Sequence, residues 1–198
     1  RTGIGYNKYG QAETYTDEGI VGAQYRLNHH TALARDAFGR EIRSLEEGIN
    51  ESGKYRYENR TPSFNSLGQA TARFETGWKA SEGNYTLAQN NIRYDIAGRQ
   101  LDFDQTKTVD GQTRETHWSS KGYDKNGASL GYRETGMITS GTDAGVAIAE
   151  DQSVGATNSL GQVVSYVTVS VKTFTDGSTQ TSTVNWSNGI YDEAGRLD

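Results

Sequence analysis

Cysteine is absent from this chain, which excludes a disulfide framework, a cysteine nucleophile and any thiolate metal site, while leaving the redox compartment open. Apolar residues are scarce at 33%, too few for a thick globular core; a thin core between strand layers, supplemented by Tyr, Thr and Gln ladders, needs less apolar volume. The longest apolar run, about Ala144 to Ala149, falls far short of the roughly 20 residues of a membrane-crossing helix, so membrane insertion is not expected. Basic runs are missing too, and the net charge is −5, which argues against nucleic acid as a partner.

What the chain does have is glycine in a fixed phrase. Seven four-residue phrases open on Asp or Asn and close on Gly: Asn7 to Gly10, Asp36 to Gly39, Asn65 to Gly68, Asp95 to Gly98, Asp124 to Gly127, Asn158 to Gly161 and Asp192 to Gly195. The intervals between these glycines are 29, 29, 30, 29, 34 and 34 residues, and a period in that range signals a repeat architecture. Asp or Asn first and Gly fourth is the composition of a type I turn whose side-chain oxygen accepts a forward N–H, closed by a left-handed Gly in a G1 bulge. Tyr6, Phe64, Tyr94, Tyr123 and Tyr191 precede five of the phrases, with Arg35 and Thr157 in the other two. Gln11, Arg40, Gln69, Arg99, Gln162 and Arg196 follow the glycine, Ala128 being the exception. A long polar side chain there is placed to lie over a neighbouring aromatic ring.

One period reads as turn, strand, turn, strand. Gln100 to Val109 alternates, Asp110-Gly111 turns, and Gln112 to Trp118 runs back; Val163 to Thr175, Asp176-Gly177 and Ser178 to Trp186 repeat the pattern. Trp118 and Trp186 each stand five residues before the next leading tyrosine, which predicts equivalent places in a stacked array. The expected fold is all-β: tandem antiparallel hairpins stacked into an elongated twisted sheet, rod or tube, with a parallel β-solenoid as the alternative. The units run about 6–34, 35–63, 64–93, 94–122, 123–156 and 157–190, with partial units 1–5 and 191–198, as one continuous module. Both ends cut a repeat, which suggests a window from a longer array or a protomer completed by its neighbours.

Tyr94-Asp95-Ile96-Ala97-Gly98-Arg99 and Tyr191-Asp192-Glu193-Ala194-Gly195-Arg196 resemble the YD or RHS repeat, in which Tyr-Asp is followed by two variable residues, Gly and then Arg or a similar residue. Tyr123-Asp124 fits less closely and the Asn-led copies less again. The resemblance implies hairpins joined into a long spiralling sheet, as in toxin shells, surface stalks and the extracellular regions of adhesion receptors. The intervals here are longer than the family's usual repeat, which weakens the case for a closed shell.

No catalytic constellation emerges. His29, His30 and His117 have no metal-protease spacing, and His29-His30 reads as a solvated strand or turn pair rather than a metal site. Glu46-Glu47 and Asp102 with Asp104 are carboxylate pairs, but strand residues two apart merely share a face. The Asp and Asn phrases match no calcium loop and are read as turn caps. Trp78, Trp118 and Trp186 suit stacking contacts better than a sugar platform. The sequons at Asn50, Asn59, Asn84 and Asn185 are of a kind that a chain rich in Asn, Ser and Thr produces by chance. The expectation is therefore a non-enzymatic structural repeat protein of an exported, bacterial surface kind, without cofactor or metal, serving as a segment of an extracellular rod, fibre or sheath. Its partners would be further repeats or copies of itself. The alternatives are an adhesin or carbohydrate-binding segment with a surface glycan as partner, or a shell segment of an RHS-type toxin.

Overall fold

The computed structural model describes residues 1–21 and 24–191. Among these every regular element is a strand. The first seven are β1 (Thr2–Tyr6), β2 (Ala12–Val21), β3 (Gln24–Arg35), β4 (Glu41–Asn50), β5 (Gly53–Phe64), β6 (Ala70–Lys79) and β7 (Gly83–Tyr94). They are followed by β8 (Gln100–Val109), β9 (Gln112–Ser120), β10 (Gly131–Ser140), β11 (Ala147–Thr157), β12 (Val163–Thr173) and β13 (Thr179–Ser187). Strand order across the sheet is the order along the chain, as tandem hairpins require. The parallel solenoid is excluded: β12 and β13, joined through Asp176-Gly177, run antiparallel from Thr173 opposite Thr179 to Ser165 opposite Ser187. Asp110-Gly111 turns the chain between β8 and β9 with φ of +46° and +84°, both positive, as a type I′ turn demands.

Contacts divide the chain into two compact units, Arg1–Asn90 with Lys107–Asp110, and Asn91–Thr106 with Gly111–Asp198. In the first, one face carries the cross-strand row Tyr15, His30, Glu46, Tyr57, Gly77 and Tyr85, each opposite the next. In the second, Trp118, Glu134, Glu150, Ser170 and Ser182 form such a row. Among the described residues the backbone contacts of each unit are between sequence-neighbouring strands, so the unit is one layer thick; on its surface Tyr55 of β5 reaches across Gly48 of β4 to donate to Asn28 of β3 at 2.9 Å. The expected thin core between strand layers is replaced by a single layer. Ala70, Tyr85, Ile92, Phe103, Ile138 and Val146 are the apolar residues that become buried, and among the described residues no side chain is less than 2% exposed. Stability in such a layer rests on ladder hydrogen bonds and cross-strand side-chain pairs, each pair contributing roughly 0.2–1 kcal/mol.

Strands that lead into the turns carry register shifts: between Ala32 and Ala34 in β3, Arg60 and Ser63 in β5, and Val154 and Ala156 in β11. The one proline, Pro62, sits inside the β5 shift, where its missing N–H breaks no ladder bond. The longer 34-residue interval after Gly127 is taken up at the far end of the hairpin, in the loop Gly141 to Val146 between β10 and β11.

Candidate functional site

The six described glycine phrases fold alike. In each, the glycine N–H donates to the leading carbonyl at 3.0 Å, and the leading N–H donates to the carbonyl of the residue after the glycine at 2.8–2.9 Å. The leading side-chain oxygen then accepts two backbone N–H groups, as Asp95 Oδ1 does from Ala97 and Arg99 at 2.9 Å. The glycines hold φ between +76° and +86°. Asp192 and Gly195 lie outside the described residues.

Lead and follower are chemically matched. Where the lead is Asp, Arg follows and its Nε donates to the second carboxylate oxygen: Arg40 to Asp36 at 2.6 Å and Arg99 to Asp95 at 2.7 Å. Where the lead is Asn, Gln follows and accepts from the amide: Asn7 to Gln11 at 2.9 Å, Asn65 to Gln69 and Asn158 to Gln162 at 2.6 Å. Asp124, followed by Ala128, keeps only the backbone bonds. The Arg99 guanidinium, then the N–H groups of Arg99 and Ala97, hold the Asp95 carboxyl below the usual carboxylate range against the opposing effect of burial. At Asp36 burial pushes upward most strongly, but Arg40 and the turn N–H groups together outweigh it and the net direction is again downward.

The follower also touches the next repeat. Gln11 Nε2 donates to the Gly39 carbonyl at 3.2 Å. The Arg40 guanidinium lies 4.0 Å over the Phe64 ring and that of Arg99 4.4 Å over Tyr123; the ring met is the leading aromatic of the following unit. That aromatic reaches back in turn. Tyr123 Oη donates to the Gln100 carbonyl at 2.7 Å and Tyr191 Oη to the Val163 carbonyl at 2.6 Å, in both cases two residues past the previous turn glycine. Arg35, which departs from the aromatic pattern, donates through Nη2 to the equivalent carbonyl of Ala12 at 2.5 Å. A guanidinium thus replaces a phenol in the same grip. Phe64 and Tyr94 are half-buried, whereas Tyr6, with no described turn before it, is 62% exposed.

A second line of side chains crosses the strands. Tyr15, Phe103, Tyr132 and Tyr166 each stand five residues past a turn glycine, a spacing visible in the sequence but passed over. Phe103 stacks on Trp118 at 5.0 Å and 12°, Trp118 on Tyr132 at 6.0 Å and 28°, and Tyr166 on Trp186 at 5.2 Å and 21°. Trp118 and Trp186 do occupy equivalent places, each against the aromatic of the preceding strand. Trp118 is stacked on both sides, and Phe103, Tyr132, Tyr166 and Trp186 each on one. Trp78 lies elsewhere, 43% exposed and opposite Arg56.

The solvated reading of His29-His30 is corrected for one of the two. His30 is 7% exposed, stacked on Tyr15 at 4.5 Å, with Nδ1 on Glu46 and Nε2 on Glu41 at 3.0 Å. Glu46 also accepts from Asn28 Nδ2 at 2.7 Å. His29 is on the opposite face, 2.8 Å from the Thr16 hydroxyl. Adjacent Glu46 and Glu47 point to opposite faces likewise; Glu47 meets Arg56 at 3.4 Å. Asp102 pairs with Arg93, and Asp104 with Asn91 at 2.7 Å and His117 at 2.9 Å. Tyrosines on the same layer have raised pKa values: burial, then Glu75 and Glu46, push Tyr57 up to about 12. Tyr85 and Tyr132 move upward through burial and their hydrogen bonds to Glu75 and Glu150. Among the described residues no group of three metal-ligating side chains converges. Compared with protein-family models, curated proteins and solved structures, the chain matches none.

Proposed function

We propose that this chain is a non-enzymatic structural repeat protein, a segment of an extracellular or cell-surface rod, fibre or sheath of the YD/RHS kind. The observation that carries the reading is the two-way grip between repeats. Arg35, Tyr123 and Tyr191 each bind the same carbonyl position of the preceding unit, while Gln11, Arg40 and Arg99 reach forward to the following one. A device that recurs at several of the periods and joins neighbours suits mechanical continuity, since each such repeat brings its own connection. The aromatic residues support the same reading, because each of these rings gives at least one face to a ring on the neighbouring strand. Negative-stain electron microscopy of the purified chain tests it. Elongated particles or filaments of uniform width are expected; isolated compact particles would overturn the reading.

A further inference from the structure

The line of residues five past each turn glycine is aromatic at Tyr15, Phe103, Tyr132 and Tyr166, but holds Ser44 and Arg73 in the two intervening repeats. The cross-strand partners change with them. Ser44 faces Asn59, and Arg73 faces Gln89, where Trp118 and Trp186 stand against rings elsewhere. Replacing stacked rings by these side chains on β4, β5 and β6 opens a groove of about 460 Å³, walled on one side by Tyr15 and His30. Its volume lies in the range of small-molecule sites.

The polar groups of this groove are unevenly committed. Glu46 is engaged by His30 and Asn28, and Glu41 by His30 and, at 3.7 Å, by Arg35. Arg43 is held by Glu58 through two bonds of 2.5 and 2.7 Å. Among the described residues, by contrast, the Ser44 hydroxyl and the Asn59 amide have no hydrogen-bond partner and Arg73 has no ion pair, although all three line the groove; Arg60, also in the lining, lies in the field of Glu58. Ser44 is only 4% exposed as a residue, and it lies in the groove wall, where its hydroxyl is placed to meet a ligand's polar group. The acids are spent, whereas Arg73, Ser44 and Asn59 keep donors to offer.

We infer that this groove binds a carboxylate-bearing saccharide, a uronate unit of an acidic polysaccharide. A guanidinium fork matches a carboxylate, the Ser44 and Asn59 groups pair with sugar hydroxyls, and the Tyr15–His30 stack closes one end. The proposal goes beyond the structural role and stands or falls separately from it, since particle shape does not enter its test.

The test is calorimetric titration of the whole chain with a short oligogalacturonate, its methyl ester and an oligophosphate. Binding of the acid is expected, weakened at least about tenfold by esterification and by Arg73→Gln or Asn59→Ala, with Arg56→Gln as the unaffected control. Unchanged circular dichroism melts confirm that the variants fold. Absence of binding, equal binding of acid and ester, equal binding of the oligophosphate, or indifference to Arg73→Gln and Asn59→Ala would each overturn it.

Discussion

Asp95 and Arg99 form a five-residue circuit in which one carboxylate closes two backbone bonds and one ion pair, and Asn65 with Gln69 closes the same circuit without charge. The two chemistries differ in their response to acid. The folded pKa of Asp95 lies below its unfolded value, so its contribution is present above the unfolded value and is lost as pH falls through the folded one, below about pH 4. The double change Asp95→Asn with Arg99→Gln should keep the melting temperature near neutral pH and reduce its fall toward about pH 2; Asp95→Asn alone should lower it at neutral pH by stranding Arg99. Thermal melts at the two pH values check this, and an unchanged acid response in the double variant would show that the Asp-led turn is not the sensitive element. The turns were legible in the sequence because every bond in them spans four residues or fewer. The matching of Asp to Arg and Asn to Gln was equally local, yet it becomes visible only when lead and follower are read together. His30 was not legible: its burial depends on Glu41 and Glu46 from the neighbouring strand, and nothing in its own segment announces them.

Glycine serves the strands as well as the turns. Gly19, Gly48, Gly77 and Gly136 each stand nine residues past a turn glycine, a second periodicity that the turn phrases overshadowed. At Gly77 the cause is close approach: an added Cβ would lie 2.3 Å from the Arg56 carbonyl oxygen and 2.5 Å from Tyr57 Cβ. Tyr57 and Tyr85 flank this glycine on the two neighbouring strands, and Lys79 Nζ lies 4.2 Å over the Tyr85 ring. Gly77→Ala should therefore destabilise the chain by about 1–3 kcal/mol through overcrowding rather than through backbone preference, whereas alanine at exposed Gly19, where an added Cβ meets nothing within 4 Å, should be nearly silent. Denaturant titration of the two variants separates the cases; equal stability would refute the crowding argument. The strands themselves followed from alternation and β-branched runs. Their arrangement in one layer did not, because a low apolar content is compatible with one thin layer or two, and only tertiary contacts distinguish them.

In the first compact unit the backbones of the described strands pack on their sequence neighbours, and the Tyr55 to Asn28 hydrogen bond from β5 to β3 is a side-chain contact that skips a strand; this has a consequence for the whole chain that a conventional core would forbid. Removing residues 35–63, one period of 29, takes away two strands and one turn phrase, so strand alternation is preserved and Phe64 becomes the lead that follows the Asn7 turn. Its ring would then meet Gln11 in place of Arg40, while β2 and β3 keep their pairing with each other and β6 and β7 keep theirs. The shortened chain should fold cooperatively, with the denaturant slope reduced by about one seventh in proportion to the surface lost. Removing 35–56 instead breaks the phase: β4 and the first half of β5 are lost, and no turn phrase joins the remaining strands. That chain should lose the native β-sheet signal. Circular dichroism and urea titration of both deletions decide the matter. A globular domain whose elements all share one core would fail both deletions alike, and failure of the in-phase deletion would mean that the repeats depend on contacts beyond their nearest neighbours.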